Sequence, residues 1–145
     1  MAATSVASTG APWVGSNELC FACGGRHPHG LHLRFEPDGA QRVRAEWQTD
    51  AAWQGFQDVI HGGIVSTVLD EAMSKSVAGA GIRALTCELR VRLRHSVAPH
   101  EQLTVRGWVV QKRKRLVSAE ASLTDGQGVE RAHAWATFLE LQRDV

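Results

Sequence analysis

The chain has 145 residues, 43% of them apolar, and a formal net charge of +1. That composition excludes a disordered chain and gives no overall charge to attract nucleic acid. No apolar run approaches the roughly 18 residues of a membrane span, so no membrane partner is expected, and the length suits one domain.

Residues 1–16 are rich in Ala, Ser, Thr and Gly and contain no Lys or Arg. They do not make a secretory signal and read as a disordered tail ahead of a single domain over 17–145. Three cysteines, Cys20, Cys23 and Cys87, are too few and odd in number for a disulfide framework, which points to a reduced, cytoplasmic protein. Cys20-Phe21-Ala22-Cys23-Gly24, with His27 and His29 nearby, invites a zinc reading. Zinc modules usually set their second ligand pair further away, and the competing reading is a turn-rich lead-in with partly buried thiols.

Leu31, Leu33 and Phe35 alternate with polar residues, Pro37-Asp38-Gly39 supplies a turn, and Val43, Ala45 and Trp47 alternate again, which predicts a hairpin. Residues 48–60 have no clean period. With Trp53 and Phe56 they predict a loop that covers something.

The centre of the chain is Val59-Ile60-His61-Gly62-Gly63, followed by Ile64, Val65, Val68, Leu69, Ala72, Met73 and Val77 at helical spacing. The pattern predicts a core helix from about Gly62 to Ala80, ended by Gly79 and Gly81. Its start combines unpaired backbone donors with the positive end of the helix dipole, a place for a carbonyl oxygen or an anion. Gly63, Thr67, Asp70 and Ser74 form a separate row of small or polar residues that something must approach. Glu71 points about 100° away, toward solvent or a strand arginine. Asp70 follows His61 by nine residues, a rise of roughly 13 Å along the helix. The two cannot serve one small reacting centre within a chain. If both act, two helices lie antiparallel in a two-fold dimer, with paired sites at its interface.

Leu85, Cys87, Leu89, Val91 and Leu93 alternate with polar residues and predict a strand with one core face. Three more alternating runs, around Val105, Ala119 and Ala134, are joined by a Lys112–Arg115 turn and an Asp125–Gly128 turn. One long helix and five to six strands without βαβ alternation give an α+β class with an antiparallel sheet.

His61-Gly62-Gly63 with Asp70 at this distance, then a helix lined with small residues and a run of strands, resembles the hotdog-fold acyl-CoA thioesterases, and the PaaI-like branch most. That resemblance implies a curved antiparallel sheet wrapped around one central helix, in a homodimer or homotetramer. It implies hydrolysis of an acyl-CoA thioester, with Asp70 as nucleophile or general base. Gly63 would lend its N–H, from the other subunit, to the thioester carbonyl, and His61 would fix the turn. Such enzymes often carry an Asn or Gln six residues before the histidine. Gly55 stands there, flanked by Gln54 and Gln57, and Gln57 is the favoured substitute. Thr86 sits where relatives place a Ser or Thr near the carboxylate. For substrate binding the candidates are Gly62 in the turn and Thr67 and Ser74 on the helix row, while Arg90, Lys114 and Arg115 offer charge to coenzyme A phosphates. The family needs no cofactor and no metal for catalysis. Two alternatives are a non-catalytic acyl-CoA-binding domain and a hotdog enoyl-CoA hydratase. The hydratase pairs its Asp with a nearby His, and none follows Asp70 within that reach.

Overall fold

The computed structural model describes residues 17–142, so the expected tail over 1–16 and the last three residues of the expected domain lie outside the described residues. The described elements are strands β1 (Glu36–Pro37) and β2 (Arg42–Gln48), a short 3-10 turn (Ala51–Trp53), helix α1 (Gly62–Gly79), and strands β3 (Ala84–Leu93), β4 (Gln102–Arg113), β5 (Leu116–Asp125) and β6 (Glu130–Glu140). The strands form one antiparallel sheet in the order β1-β2-β4-β5-β6-β3. The helix lies across one face and touches β2, β3, β4, β5 and β6. This is the α+β hotdog arrangement expected from the sequence.

The helix seats closely because the sheet beneath it is made of small residues. Gly107, Ala121 and Ala134 are cross-strand neighbours on β4, β5 and β6. A Cβ added at Gly107 would lie 2.4 Å from the Ala72 carbonyl oxygen, inside van der Waals contact. Val68, Leu69, Ala72, Met73 and Val77 then close against Val105, Val117, Leu123 and Phe138, all fully or almost fully buried. Burying side chains of this size contributes roughly 1.5–3 kcal/mol each, which offsets the cost of ordering the helix.

Two expectations are corrected. Leu31, Leu33 and Phe35 are buried as their alternation requires, but the ladder of the first hairpin is confined to Glu36 and Pro37. The preceding backbone bonds elsewhere. Leu31 N–H donates to the Phe21 carbonyl and Leu33 N–H to that of Ala22, and His32 between them has a φ of 53°. Alternation records which side is buried, not which backbone is paired.

The second correction concerns β3. Its register on β6 slips between Thr86 and Glu88, so that Thr86 opposes the buried Phe138 while Leu89, Val91 and Leu93 oppose Ala136, Ala134 and Ala132. Leu85, on the other side of this β-bulge, opposes the outward Leu139. The five apolar residues therefore do not share one face, because an extra residue reverses the alternation. Nor is that face a closed core: Leu89 and Leu93 are 39% and 52% exposed. β3 is an edge strand, and the helix covers it incompletely.

The opposite face of the sheet carries a polar and aromatic layer. His133 bridges Glu120 and Glu130 at 3.0 and 2.8 Å, beside Trp108 and Trp135. Arg42 lies over Trp108, and Arg90 over Trp135 at 4.5 Å.

Gly107→Ala is expected to cost about 1–3 kcal/mol by forcing the helix off the sheet, read as a lower denaturant midpoint at unchanged slope. An unchanged midpoint would mean that the helix does not rest on this glycine.

Candidate functional site

The turn into α1 is pinned on both sides. Ile60 N–H donates to the Val97 carbonyl at 2.8 Å and His61 N–H to that of Trp53 at 2.9 Å. The His61 imidazole then caps the helix, its Nδ1 accepting the Gly63 N–H at 2.8 Å. Nδ1 is thus an acceptor, and the ring carries any proton on Nε2. The Gly63 N–H is already engaged in the resting chain, contrary to the open donor that the sequence suggests.

A cleft of 990 Å³ opens in front of this turn, walled by Phe21, Leu31, His32, Trp53, Gln54 and His61, with Gly63 at its edge. Trp53 stacks at 6.1 Å on the buried Trp47, which fixes this wall to the core. Phe56, expected to share in the covering, is 87% exposed and is absent from the cleft wall. Among the two glutamines, Gln54 lines the cleft and Gln57 is exposed on the loop. The Gln54 amide donates to the Ala51 carbonyl and accepts from Asp58 N–H. A Cβ on Gly55 would stand 3.2 Å from His61, so the loop leaves no room for an amide side chain at that position without moving.

Asp70 is two turns further along the helix, half-buried, and is not part of the cleft wall. Thr86 Oγ1 donates to its Oδ1 at 2.8 Å. The bulge in β3 makes this contact possible, since it turns Thr86 toward the helix while leaving Leu89 on the same side. Burial pushes the Asp70 carboxyl above the usual carboxylate range, and the Thr86 hydroxyl opposes that by favouring the ion.

The remaining candidates are scattered. Thr67 Oγ1 donates back to the Gly63 carbonyl at 2.9 Å, so its hydroxyl serves the helix. Gly62 packs on Leu93 at the far end of β3. Ser74 lines a second cavity of 400 Å³ with Glu71, Lys75, Cys20 and Cys23. Arg90 lies on the outer face of the sheet, away from Asp70. Lys114 and Arg115 form the tip between β4 and β5, where Arg115 Nε donates to the Glu140 carbonyl at 3.1 Å and Lys112 pairs with the Glu140 carboxylate at 3.0 Å.

Glu71 was expected to face solvent or a strand arginine. It turns inward instead, 3.9 Å from the buried Lys75 and next to both thiols of the Cys20–Cys23 turn. Cys23 hydrogen bonding brings Cys20 down to about 5 despite some burial. The same bond and burial push Cys23 up, and burial raises Glu71. His27 and His29 are not part of this group. His27 Nδ1 accepts the His29 N–H at 3.1 Å, and its ring packs edge-on against Phe21.

Because folding raises its pKa, Asp70 favours the native state when protonated, and that contribution is lost as pH rises through the folded pKa. Asp70→Asn is therefore expected to raise the melting temperature at pH 7, with the gain fading below the ordinary aspartate pKa. A variant that melts lower than wild type at pH 7 would contradict a desolvated carboxylate.

With this geometry in view, the chain matches the thioesterase superfamily over residues 57–132, which spans α1, β3, β4, β5 and the start of β6. No match is found among the curated proteins. Similar solved structures include a thioesterase superfamily protein at a TM-score of 0.81 and 19% identity, covering 85% of this chain and 61% of that one. A Streptococcus mutans protein solved bound to acetyl CoA has a TM-score of 0.72 and 16% identity, over 78% of this chain and 91% of that one. The E. coli PaaI protein from the phenylacetic acid degradation operon has a TM-score of 0.72 and 13% identity, over 77% and 81%. At these identities the likeness concerns the fold, and this chain spans under two-thirds of the first of the three. The match across more than half of the sequence, with the helix and sheet described above, makes this chain a member of the thioesterase superfamily.

Proposed function

We propose that this protein hydrolyses an acyl-CoA thioester to the free acid and coenzyme A, in a site shared between two copies of the chain. The observation that carries the reading is the half-buried Asp70 carboxylate, held by Thr86 at 2.8 Å and raised in pKa by burial. A desolvated carboxylate that remains ionised is a competent nucleophile or general base, and needs no metal ligand set to act on a thioester. The carbonyl oxygen is received at the start of α1, where it replaces His61 Nδ1 as acceptor for the Gly63 N–H.

β3 supports the dimer. Among the described residues it ends the sheet, with one edge open to another strand and Leu85, Leu89 and Leu93 exposed. Its two ends carry different halves of the site: Thr86 holds Asp70, and Leu93 packs on Gly62. Pairing two β3 edges antiparallel about a two-fold axis near Leu89 and Arg90 sets Thr86 of one copy opposite Leu93 of the other. Asp70 then faces the helix start of the partner, as the spacing along one helix demands. The Lys114–Arg115 tip adjoins the start of β3, since Glu140 is paired with Ala84 and bonded by Arg115. In the dimer it reaches toward the partner's cleft, where coenzyme A phosphates would meet it. Arg90, on the outer face, has no part in this arrangement. A hypothetical thioesterase protein of this fold from Streptococcus pneumoniae was solved with coenzyme A.

Thiol release from aryl, short-chain and medium-chain acyl-CoA substrates tests the chemistry. Asp70→Asn is expected to lower kcat by roughly 10²- to 10⁴-fold with the fold intact. Acyl-CoA binding with no thiol release by wild type would leave the binding-domain reading instead. Thr86→Val removes a hydrogen bond to the charged form, so kcat/KM should fall about tenfold or more and its acid limb should move to higher pH, with Thr86→Ser restoring both. An unmoved acid limb would separate Thr86 from the reacting carboxylate.

The shared site has its own test. Gly63→Pro deletes the N–H at a position in the first helical turn where proline is tolerated. Mixing inactive Asp70→Asn and Gly63→Pro chains should recover roughly a quarter of wild-type activity, because each mixed dimer contains one intact site. No recovery from chains shown to exchange would refute the two-chain site.

A further inference from the structure

Cys20, Cys23 and Glu71 offer one ligand atom each within 4.8 Å of one another, and the thioesterase reading uses none of them. From this geometry we infer a zinc site of two cysteine sulfurs and one carboxylate, with its fourth position facing the 400 Å³ cavity lined by Ser74 and Lys75. Tetrahedral zinc with Zn–S near 2.3 Å and Zn–O near 2.0–2.2 Å spaces its ligand atoms by about 3.5–4 Å, inside the observed limit. Two thiolates favour zinc over magnesium or calcium.

The surrounding backbone is built for the purpose. The backbone N–H groups of Ala22 and Cys23 favour the Cys20 thiolate, the kind of outer-shell support that a metal-bound thiolate uses. Gly24 closes the turn where a Cβ would lie 2.3 Å from the Glu18 carbonyl oxygen, and its N–H donates to the Cys20 carbonyl at 2.8 Å. The Leu31 and Leu33 N–H groups clamp the carbonyls of Phe21 and Ala22, holding the turn against the core. Both sulfurs are thereby presented to one turn of α1. Lys75, 3.9 Å from Glu71, supplies a fixed positive charge, so a dication, two thiolates, the carboxylate and the ammonium together come to neutrality. The mutual attraction of these charges then offsets part of the cost of burying them. The metal would tie the segment before β1 to the helix residue that follows Asp70.

The test uses the full chain without a histidine tag, kept in a non-thiol reductant. After exposure to zinc and removal of the excess, elemental analysis should find one zinc per chain, and cobalt substitution should give thiolate-to-cobalt charge-transfer absorption. Cys20→Ser and Cys23→Ser should abolish both, Glu71→Gln should weaken zinc binding at least tenfold, and His27→Ala with His29→Ala should leave the stoichiometry unchanged. A chelator should lower the melting temperature of the loaded wild type and not that of Cys23→Ser. The inference is overturned if wild type retains no zinc and gives no charge-transfer band, or if zinc persists in the cysteine variants. Loss of zinc on replacing the histidines would overturn the ligand set. The wild-type cobalt spectrum decides the matter even if a serine variant fails to fold.

Discussion

The hydrogen bond from Thr86 to Asp70 is where the fold and the chemistry of this chain depend on each other. A carboxylate seated on an apolar helix costs stability in proportion to its desolvation, and one hydroxyl offsets only part of that. The helix that carries Asp70 is seated closely on the sheet, while Thr86 and Leu89 on the side toward the β3 edge stay exposed. The helix is held on a floor of Gly107, Ala121 and Ala134, and its other flank is filled by Leu69 and Met73, which are completely buried. A looser seat would let water in and return Asp70 to the behaviour of an ordinary surface acid.

Much of this was legible in the chain, for reasons that differ by element. α1 declares itself by a long apolar period, and β4, β5 and β6 by alternation bounded by short turns, because in each case one periodicity governs the whole element. The row of Gly63, Thr67, Asp70 and Ser74 does not act as one surface: Thr67 bonds back to the Gly63 carbonyl, Asp70 meets Thr86, and Ser74 lines a separate cavity. β3 could not be read correctly. Its sequence alternates without a flaw from Leu85 to Leu93, and no residue type marks the bulge at Cys87 that turns Thr86 inward. Gln54 and Gln57 were equally opaque, since a loop has no period and which amide reaches the cleft depends on the 3-10 turn and on the contact of Gly55 with His61. Glu71 escaped for a third reason. Helical geometry places it away from Asp70, but only the path of the Cys20–Cys23 turn decides that it meets thiols and a lysine instead of solvent.

The edge of β3, unpaired among the described residues, and the distance between His61 and Asp70 are two expressions of one fact. A helix of 18 residues cannot bring its first turn and its middle to the same small molecule, and a sheet whose end strand exposes Leu89 and Leu93 has not finished burying its apolar surface. In the proposed dimer, a second copy closing the edge would resolve both at once. The geometry is selective, because only antiparallel pairing centred near Leu89 and Arg90 joins the Thr86 end to the Leu93 end. A parallel or shifted pairing would bury the same leucines and leave every Asp70 without a helix start to face.

Asp70 and Glu71 show how one helix turn can serve two environments. Neighbouring residues on α1 diverge by about 100°, so the first carboxylate meets β3 while the second meets the segment that precedes β1. Asp70 has a single neutral donor among the described residues and gains from being poised between charged and neutral forms. Glu71 has Lys75 and two sulfurs, a set that rewards a permanent charge only when a cation joins it. The two sites are mechanically joined through a shared backbone, so whatever fixes Glu71 also restrains the rotation of α1 that sets the Asp70–Thr86 contact. An ordered Cys20–Cys23 turn would therefore matter to the acid beside it even though neither sulfur contacts Asp70.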